Sequence, residues 1–155
     1  MSTITVRPIE DEDIEEIIHI DKRLTGVEKS GHWRGRLRIY TSEEQEMTEK
    51  LCPDLCQVAE VDGRVAGFIV GDVQSWQFGI PRCGRIVAIG VHPDYARHGV
   101  GSKLLHALLA YFDKLELPRV QCLVMPGDPL EAFFRSGGFE TSRWITIEKQ
   151  LPRGA

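Results

Sequence analysis

Glycine, a hydroxyl and basic side chains crowd one stretch of this chain, Arg97-His98-Gly99-Val100-Gly101-Ser102-Lys103, and residues of these types suit phosphate oxygens. Glycine lets a backbone turn sharply and approach a ligand where a Cβ would collide. If a helix starts here, its first N–H groups have no intrahelical partner and point outward with the positive end of the dipole, which makes an anion site. A Gly-x-Gly also serves a helix that only needs a tight start, so both readings stand at this point. Two phosphate loops fail on spacing. A dinucleotide fingerprint needs glycine where Leu104 stands, and a nucleoside-triphosphate loop needs Gly-Lys-Ser/Thr where the chain has Gly101-Ser102-Lys103. Two side chains could act as bases, Asp72 at the end of an apolar strand face and His92 beside Pro93, although each also reads as an ordinary solvent-facing group.

The elements that must position this loop are legible on both sides of it. Arg85 to Val91 is apolar and β-branched without polar alternation, as a strand covered on both faces reads. Val100, Leu104, Leu105, Leu108, Phe112 and Leu115 recur at helical spacing, with Lys114 in the final turn and Pro118 as a stop. A buried strand therefore passes through a short loop into an amphipathic helix. Val120 to Met125 is expected as the next strand, and strand, crossover helix and strand of this length make a right-handed parallel unit.

Upstream, Ile4 to Val6 is expected as an edge strand stopped by Pro8. Asp11 or Asp13 caps a helix whose Ile14, Ile17, Ile18 and Leu24 share a face and which ends near Gly26. From Ser30 to Leu51 the pattern is least regular. Trp33, Leu37 and Tyr40 are at helical spacing, and a second start is expected where Thr41 or Ser42 precedes Glu44 or Gln45. Gln57 to Val61 and Val65 to Val73 are strands joined by Asp62-Gly63, a two-residue hairpin signal. Trp76 and Phe78, in the loop from Ser75 to Cys83, are either walls of a binding site, which the family resemblance given below makes the acceptor site, or lids over the core.

A length of 155 residues with 42% hydrophobic and 27% charged residues fits one domain, residues 1 to 155, with a sizeable core. A net charge of -4 argues against a nucleic-acid partner. No stretch suits a signal peptide or a membrane span, so a cytoplasmic protein without a membrane partner is expected. Of the four cysteines only Cys52 and Cys56 are close, with no matching Cys or His pair, so no metal site is expected. Neither are disulfides.

Val91-His92-Pro93, Gly99-x-Gly101 and Gly138-Phe139 together resemble the GCN5-related N-acetyltransferase superfamily, over nearly the whole chain from Val6-Arg7-Pro8 to a closing strand at Trp144 to Lys149. The resemblance implies an α/β fold with a mixed, mostly antiparallel sheet whose central parallel strand pair splays apart, flanked by helices. It implies acetyl-CoA as cosubstrate, with the pantetheine arm on the Ile89, Gly90 and Val91 backbone. The diphosphate would lie on N–H groups of Arg97, His98, Gly99, Val100, Gly101 and Ser102. It also implies that Ser30 to Leu51 overhangs the acceptor, where Arg34, Arg36 and Arg38 and acidic Glu43, Glu44, Glu46 and Glu49 either touch substrate or face solvent.

Departures from the family pattern fall at the chemistry. Ala96 occupies the Arg/Gln position of the phosphate loop, with Arg97 and His98 beside it. Phe134 occupies the place of a tyrosine general acid, near the cofactor thiol, and Gly127 the place of an asparagine. Cys122 stands where the branch that acetylates protein N-termini often carries glutamate.

Amine attack on a thioester needs a neutral amine, an oxyanion donor and a tolerable leaving group. A thiol of pKa about 8.5 leaves without much help. A lysine-like amine is neutral about one time in two thousand at pH 7, a handicap of roughly 4.6 kcal/mol, against roughly 1.4 kcal/mol for an α-amine. An acceptor of low pKa is therefore favoured unless Asp72, His92 or a water takes the proton. The expectation is direct acetyl transfer to a primary amine of a small molecule or peptide, with Ser102 as a phosphate donor and not a nucleophile. The alternatives are a catalytically silent acyl-CoA-binding module and a general phosphate-ligand protein. The closing strand, Trp144 to Ile147, could pair across a homodimer.

Overall fold

A computed structural model describes residues 3 to 42 and 52 to 153 of the 155-residue chain. The second helix start expected at Thr41 or Ser42, and the acidic residues Glu43 to Glu49, extend into or lie in the segment outside the described residues. The chain divides into two compact units, Met1–Leu123 and Val124–Ala155.

In the first unit a five-stranded sheet runs in chain order: β1 (Ile4–Pro8), β2 (Cys56–Val61), β3 (Arg64–Gln74), β4 (Cys83–Val91) and β5 (Val120–Gln121). The first three junctions are antiparallel and β4 runs parallel to β5, so the sheet is mixed as the resemblance implies. Asp62 and Gly63 join β2 to β3 with φ of 53° and 77°, the left-handed pair a two-residue turn needs.

Helix α1 (Ile14–Thr25) buries Ile14, Ile17, Ile18 and Ile20 and ends on left-handed Gly26. Leu24, expected on that face, is half exposed. Neither expected aspartate caps α1 through its side chain. Asp13 instead accepts the Glu10 N–H at 2.8 Å and the Arg7 guanidinium at 2.7 and 2.9 Å. Helix α2 (Ser30–Thr41) buries Trp33, Leu37 and Tyr40, and the Trp33 ring packs edge-on against Phe68 of β3.

Helix α3 (Val100–Lys114) covers the opposite face of β3 and buries Val100, Leu104, Leu105, Leu108 and Phe112. Strand glycines allow it to lie directly on the backbone. A Cβ at Gly67 would meet Val100 and Leu104 side chains at 3.1 and 3.2 Å, and one at Gly84 would meet the Phe112 ring at 2.8 Å. The helix start, and with it the loop before it, is thus fixed by close packing against β3 and β4.

Two strand expectations are corrected. β5 pairs only over Val120–Gln121, short of the expected Met125, because β4 is bonded to it only at Gly84↔Val120 and Arg85↔Gln121. In the second unit, α4 (Pro129–Ser136) is N-capped by the Asp128 side chain and carries buried Phe134. The closing strand expected at Trp144 to Lys149 is not formed: Ile145 and Ile147 are 81% and 88% exposed, and neither has a ladder partner among the described residues.

Candidate active site

The phosphate-type loop is held open by two left-handed residues. After a short turn at Pro93–Tyr95, Arg97 has φ 65° and Gly99 has φ 83°. Gly99 is the N-cap of α3 and no side chain caps the helix. The first intrahelical bond runs from Lys103 N to Gly99 O at 3.1 Å, so the N–H groups of Val100, Gly101 and Ser102 precede it. Arg97, His98, Ser102 and Lys103 are exposed around this start. A Cβ placed on Gly99 would meet nothing within 4 Å, so the space before the helix is open.

β4 leads to this loop and is one-sided along most of its length. Beyond Arg85 it has no partner on its β5 side among the described residues, while β3 continues to pair it through Val91. Backbone groups of Ile86 to Val91 along that edge can therefore bond an extended ligand. The β3 register jumps from Val70↔Ala88 to Gly71↔Ile86, which leaves Val87 as a bulge. Ile89, Gly90 and Val91 follow it on the same open edge. Gly90 is fixed by packing, since a Cβ there would meet Phe68 at 2.8 Å and Leu24 at 2.9 Å.

Asp72, a candidate base, is buried and bound. Its Oδ1 and Oδ2 accept from Arg85 Nε and Nη2 at 3.1 and 2.8 Å, and Oδ2 also accepts from Arg36 Nη2 at 3.1 Å. Arg36 also donates to the Tyr40 hydroxyl at 3.1 Å, and that hydroxyl donates to the Gly71 carbonyl at 2.8 Å. Burial holds the Tyr40 phenol well above its ordinary pKa, so it stays protonated at neutral pH.

His92, the other candidate, accepts the Asp94 N–H at Nδ1 over 3.1 Å, and its ring lies 6.3 Å from that of His19 and 5.9 Å from that of Tyr95. A neutral imidazole accepting at Nδ1 carries its proton on Nε2. Of the cysteines, Cys52, Cys56 and Cys83 are buried and Cys122 is half-buried. Burial pushes the Cys56, Cys83 and Cys122 thiols up, which makes them poor nucleophiles.

Residues 15 to 139 match the model of the acetyltransferase (GNAT) family. The chain belongs to that family. Acetyltransferase ECA0875 of Pectobacterium atrosepticum is 28% identical over 118 residues, which cover 74% of this chain and 79% of that protein. Among solved structures, an aminoglycoside N-acetyltransferase AAC(6')-Iy in complex with CoA superposes with TM-score 0.74 at 15% identity, over 97% of this chain and 96% of that one. Ard1 from Thermoplasma volcanium superposes with TM-score 0.70 at 26% identity, over 90% of this chain and 84% of that one.

This GNAT chain is an N-acetyltransferase with acetyl-CoA as cosubstrate. Its own geometry fits that ligand: the uncapped start of α3 offers donors to a diphosphate, and the open edge of β4 offers donors and acceptors to an amide-bearing arm. Phe134, named for the cofactor on sequence grounds, lies in the second unit, is 4% exposed, and has its ring 5.2 Å from both Phe133 and Phe139. Trp76 and Phe78 are not lids over the core, being 70% and 97% exposed. A surface cavity of about 230 Å³ beside Trp76, Pro81 and Leu117 contains Trp76 of the expected site residues, and none of those expected to hold the cofactor or act as bases.

Two features escaped the sequence reading. One is the Val87 bulge. The other is Arg85, read only as the first residue of a strand, which forms a cross-strand ion pair with Asp72.

Proposed function

We propose that this GNAT enzyme moves an acetyl group from acetyl-CoA directly to a primary amine of a small molecule or peptide. The observation that carries the reading is the continuous path from the open edge of β4, past the Val87 bulge, to the uncapped start of α3. Bound acetyl-CoA would supply an activated thioester: the amine nitrogen bonds the acetyl carbon, the C–S bond breaks, and the proton lost by the amine passes through solvent to the departing thiolate.

In this reading the N–H groups from Arg97 to Ser102 take the diphosphate, and Arg97 and Lys103 supply positive charge, with His98 beside them, in place of the side chain lost at Ala96. The backbone of Ile89, Gly90 and Val91 aligns the arm. The open edge of β4 at the Val87 bulge would supply the backbone donor for the negative charge that develops on the acetyl oxygen. A buried-thiol acyl-enzyme is disfavoured by the raised pKa of Cys56, Cys83 and Cys122.

We assign neither Asp72 nor His92 the role of general base, because Asp72 accepts from Arg85, Arg36 and Gln74 and Nδ1 of His92 accepts the Asp94 N–H. An amine of low pKa then fits best, since an α-amine loses only about 1.4 kcal/mol to protonation at pH 7 where a lysine-like amine loses about 4.6 kcal/mol. The alternative expected from the sequence, a silent acyl-CoA-binding module, is the outcome that would overturn transfer. Thioester consumption measured with peptide N-termini, lysine peptides, polyamines and aminoglycosides separates the two. Turnover on an α-amine supports transfer, whereas CoA binding without turnover on any amine supports the silent module.

A further inference from the structure

At the point where β5 leaves β4, one buried carboxylate holds two arginines. Asp72 is 7% exposed and receives a bidentate pair from Arg85 and a single bond from Arg36. One bidentate arginine already satisfies an aspartate. Among the described residues the second leaves one positive charge over, in a chain whose net charge is -4. A guanidinium has five donors in a fixed fork. Arg85 spends Nε and Nη2 on Asp72 and its side chain is still 45% exposed, so its remaining edge is presented outward. The Nε of Arg36 is buried and has no hydrogen-bond partner among the described residues.

The position of this cluster matters as much as its charge. Arg85 is the last β4 residue bonded to β5, and the Val87 bulge follows two residues later. Two strand residues span about 7 Å. Asp72 alternates onto the same face of β3 as Phe68, which carries Trp33 of α2, and Arg36 reaches Asp72 from α2. The surplus charge therefore stands beside the reacting end of the open strand, on the sheet face opposite α3.

We infer that Arg85, backed by Arg36 and clamped by Asp72, is a carboxylate-recognition point of the acceptor pocket, and that the amine acceptor carries a carboxylate within about one side-chain length of its amine. The inference rests on the direct-transfer reading and adds the acceptor class to it. Free amino acids and peptide N-termini with a leading Asp or Glu share this chemistry. Polyamines and aminoglycosides have the opposite charge and would meet a guanidinium, so the pocket discriminates against them.

The test measures kcat/KM with acetyl-CoA for free amino acids, for peptides beginning with Asp or Glu, for their Asn, Gln and amide counterparts, and for polyamines. Carboxylate-bearing acceptors are expected to lead their uncharged counterparts by about 10-fold or more, the range of a hydrogen bond to a charged group. Whichever of the free amino acids and the peptides leads identifies the source. Arg85→Gln should erase the lead through KM while CoA affinity stays unchanged, and Arg85→Lys should restore part of it. A lead for polyamines, or an equal loss on all acceptors in Arg85→Gln, overturns the inference. If no amine turns over, the transfer reading fails. The carboxylate site is then read by calorimetry on the CoA-loaded protein with N-acetylaspartate against N-acetylasparagine: tighter binding of the first, lost in Arg85→Gln, sustains it, and equal or absent binding refutes it.

Discussion

Replacing Gly101 by leucine separates the ligand role of the α3 start from its structural role, because the two effects have opposite signs. Gly101 is the second residue of a 15-residue helix and does not have the left-handed φ of Gly99. Leucine is a better helix former than glycine by up to about 1 kcal/mol, so the free protein should hold or gain stability. Bound ligand feels the reverse. A four-carbon side chain at the second helical position stands over the N–H groups of Val100, Gly101 and Ser102, which precede the first intrahelical bond. Each charge-assisted bond to a diphosphate oxygen that is lost costs about 1.5–3 kcal/mol. One such bond corresponds to roughly 10–150-fold in Kd. Thermal unfolding and calorimetric titration with CoA on the same samples read both effects, with Gly101→Ala as the smaller step. Unchanged CoA affinity in a folded Gly101→Leu protein would refute the assignment of this helix start to the diphosphate.

Gly84→Ala should destabilise by about 1–3 kcal/mol, since its Cβ would lie 2.8 Å from Cγ of Phe112, and denaturant unfolding reads the loss. Asp72→Asn leaves two arginines facing each other without their carboxylate. Removing one member of a buried pair costs about 3–5 kcal/mol, which the half-exposed Arg85 reduces to about 2–3 kcal/mol, and a denaturant midpoint shift below 0.5 kcal/mol would contradict the clamp. The thiol of Cys56 has its pKa raised by burial, so its contribution is fully present below the unfolded thiol pKa and is lost as pH rises from there toward the folded value. Stability should therefore fall above about pH 8.5, by up to about 1.4 kcal/mol per pH unit per buried thiol, and Cys56→Ala should flatten that limb of the unfolding profile.

What could be read from the sequence was whatever a local period or a backbone constraint writes down. The face of α3, the Asp62-Gly63 turn and the glycine loop each follow from residues within a few positions of one another, and all are present in the structure. The end of β5 was not legible, because an apolar run from Val120 to Met125 does not say how far the neighbouring strand stays beside it. Nor was the partnering of Ile145 and Ile147, whose alternation fits a strand but which have no ladder partner among the described residues.

The Arg85 clamp was partly within reach. Joining β3 to β4 in antiparallel register pairs Gln74 with Cys83 and Val73 with Gly84, and the next pair is Asp72 with Arg85, two opposite charges directly across from each other. A reading of Asp72 as a free base treats it on its own strand only. Once the cross-strand partner is placed, the carboxylate becomes an anchor, and chemistry that seemed to need a proton acceptor from the protein turns into a question of which amine arrives already neutral. On the proposed reading the site selects its acceptor on two properties together, a low amine pKa and a carboxylate for Arg85, and an acidic peptide N-terminus satisfies both at once.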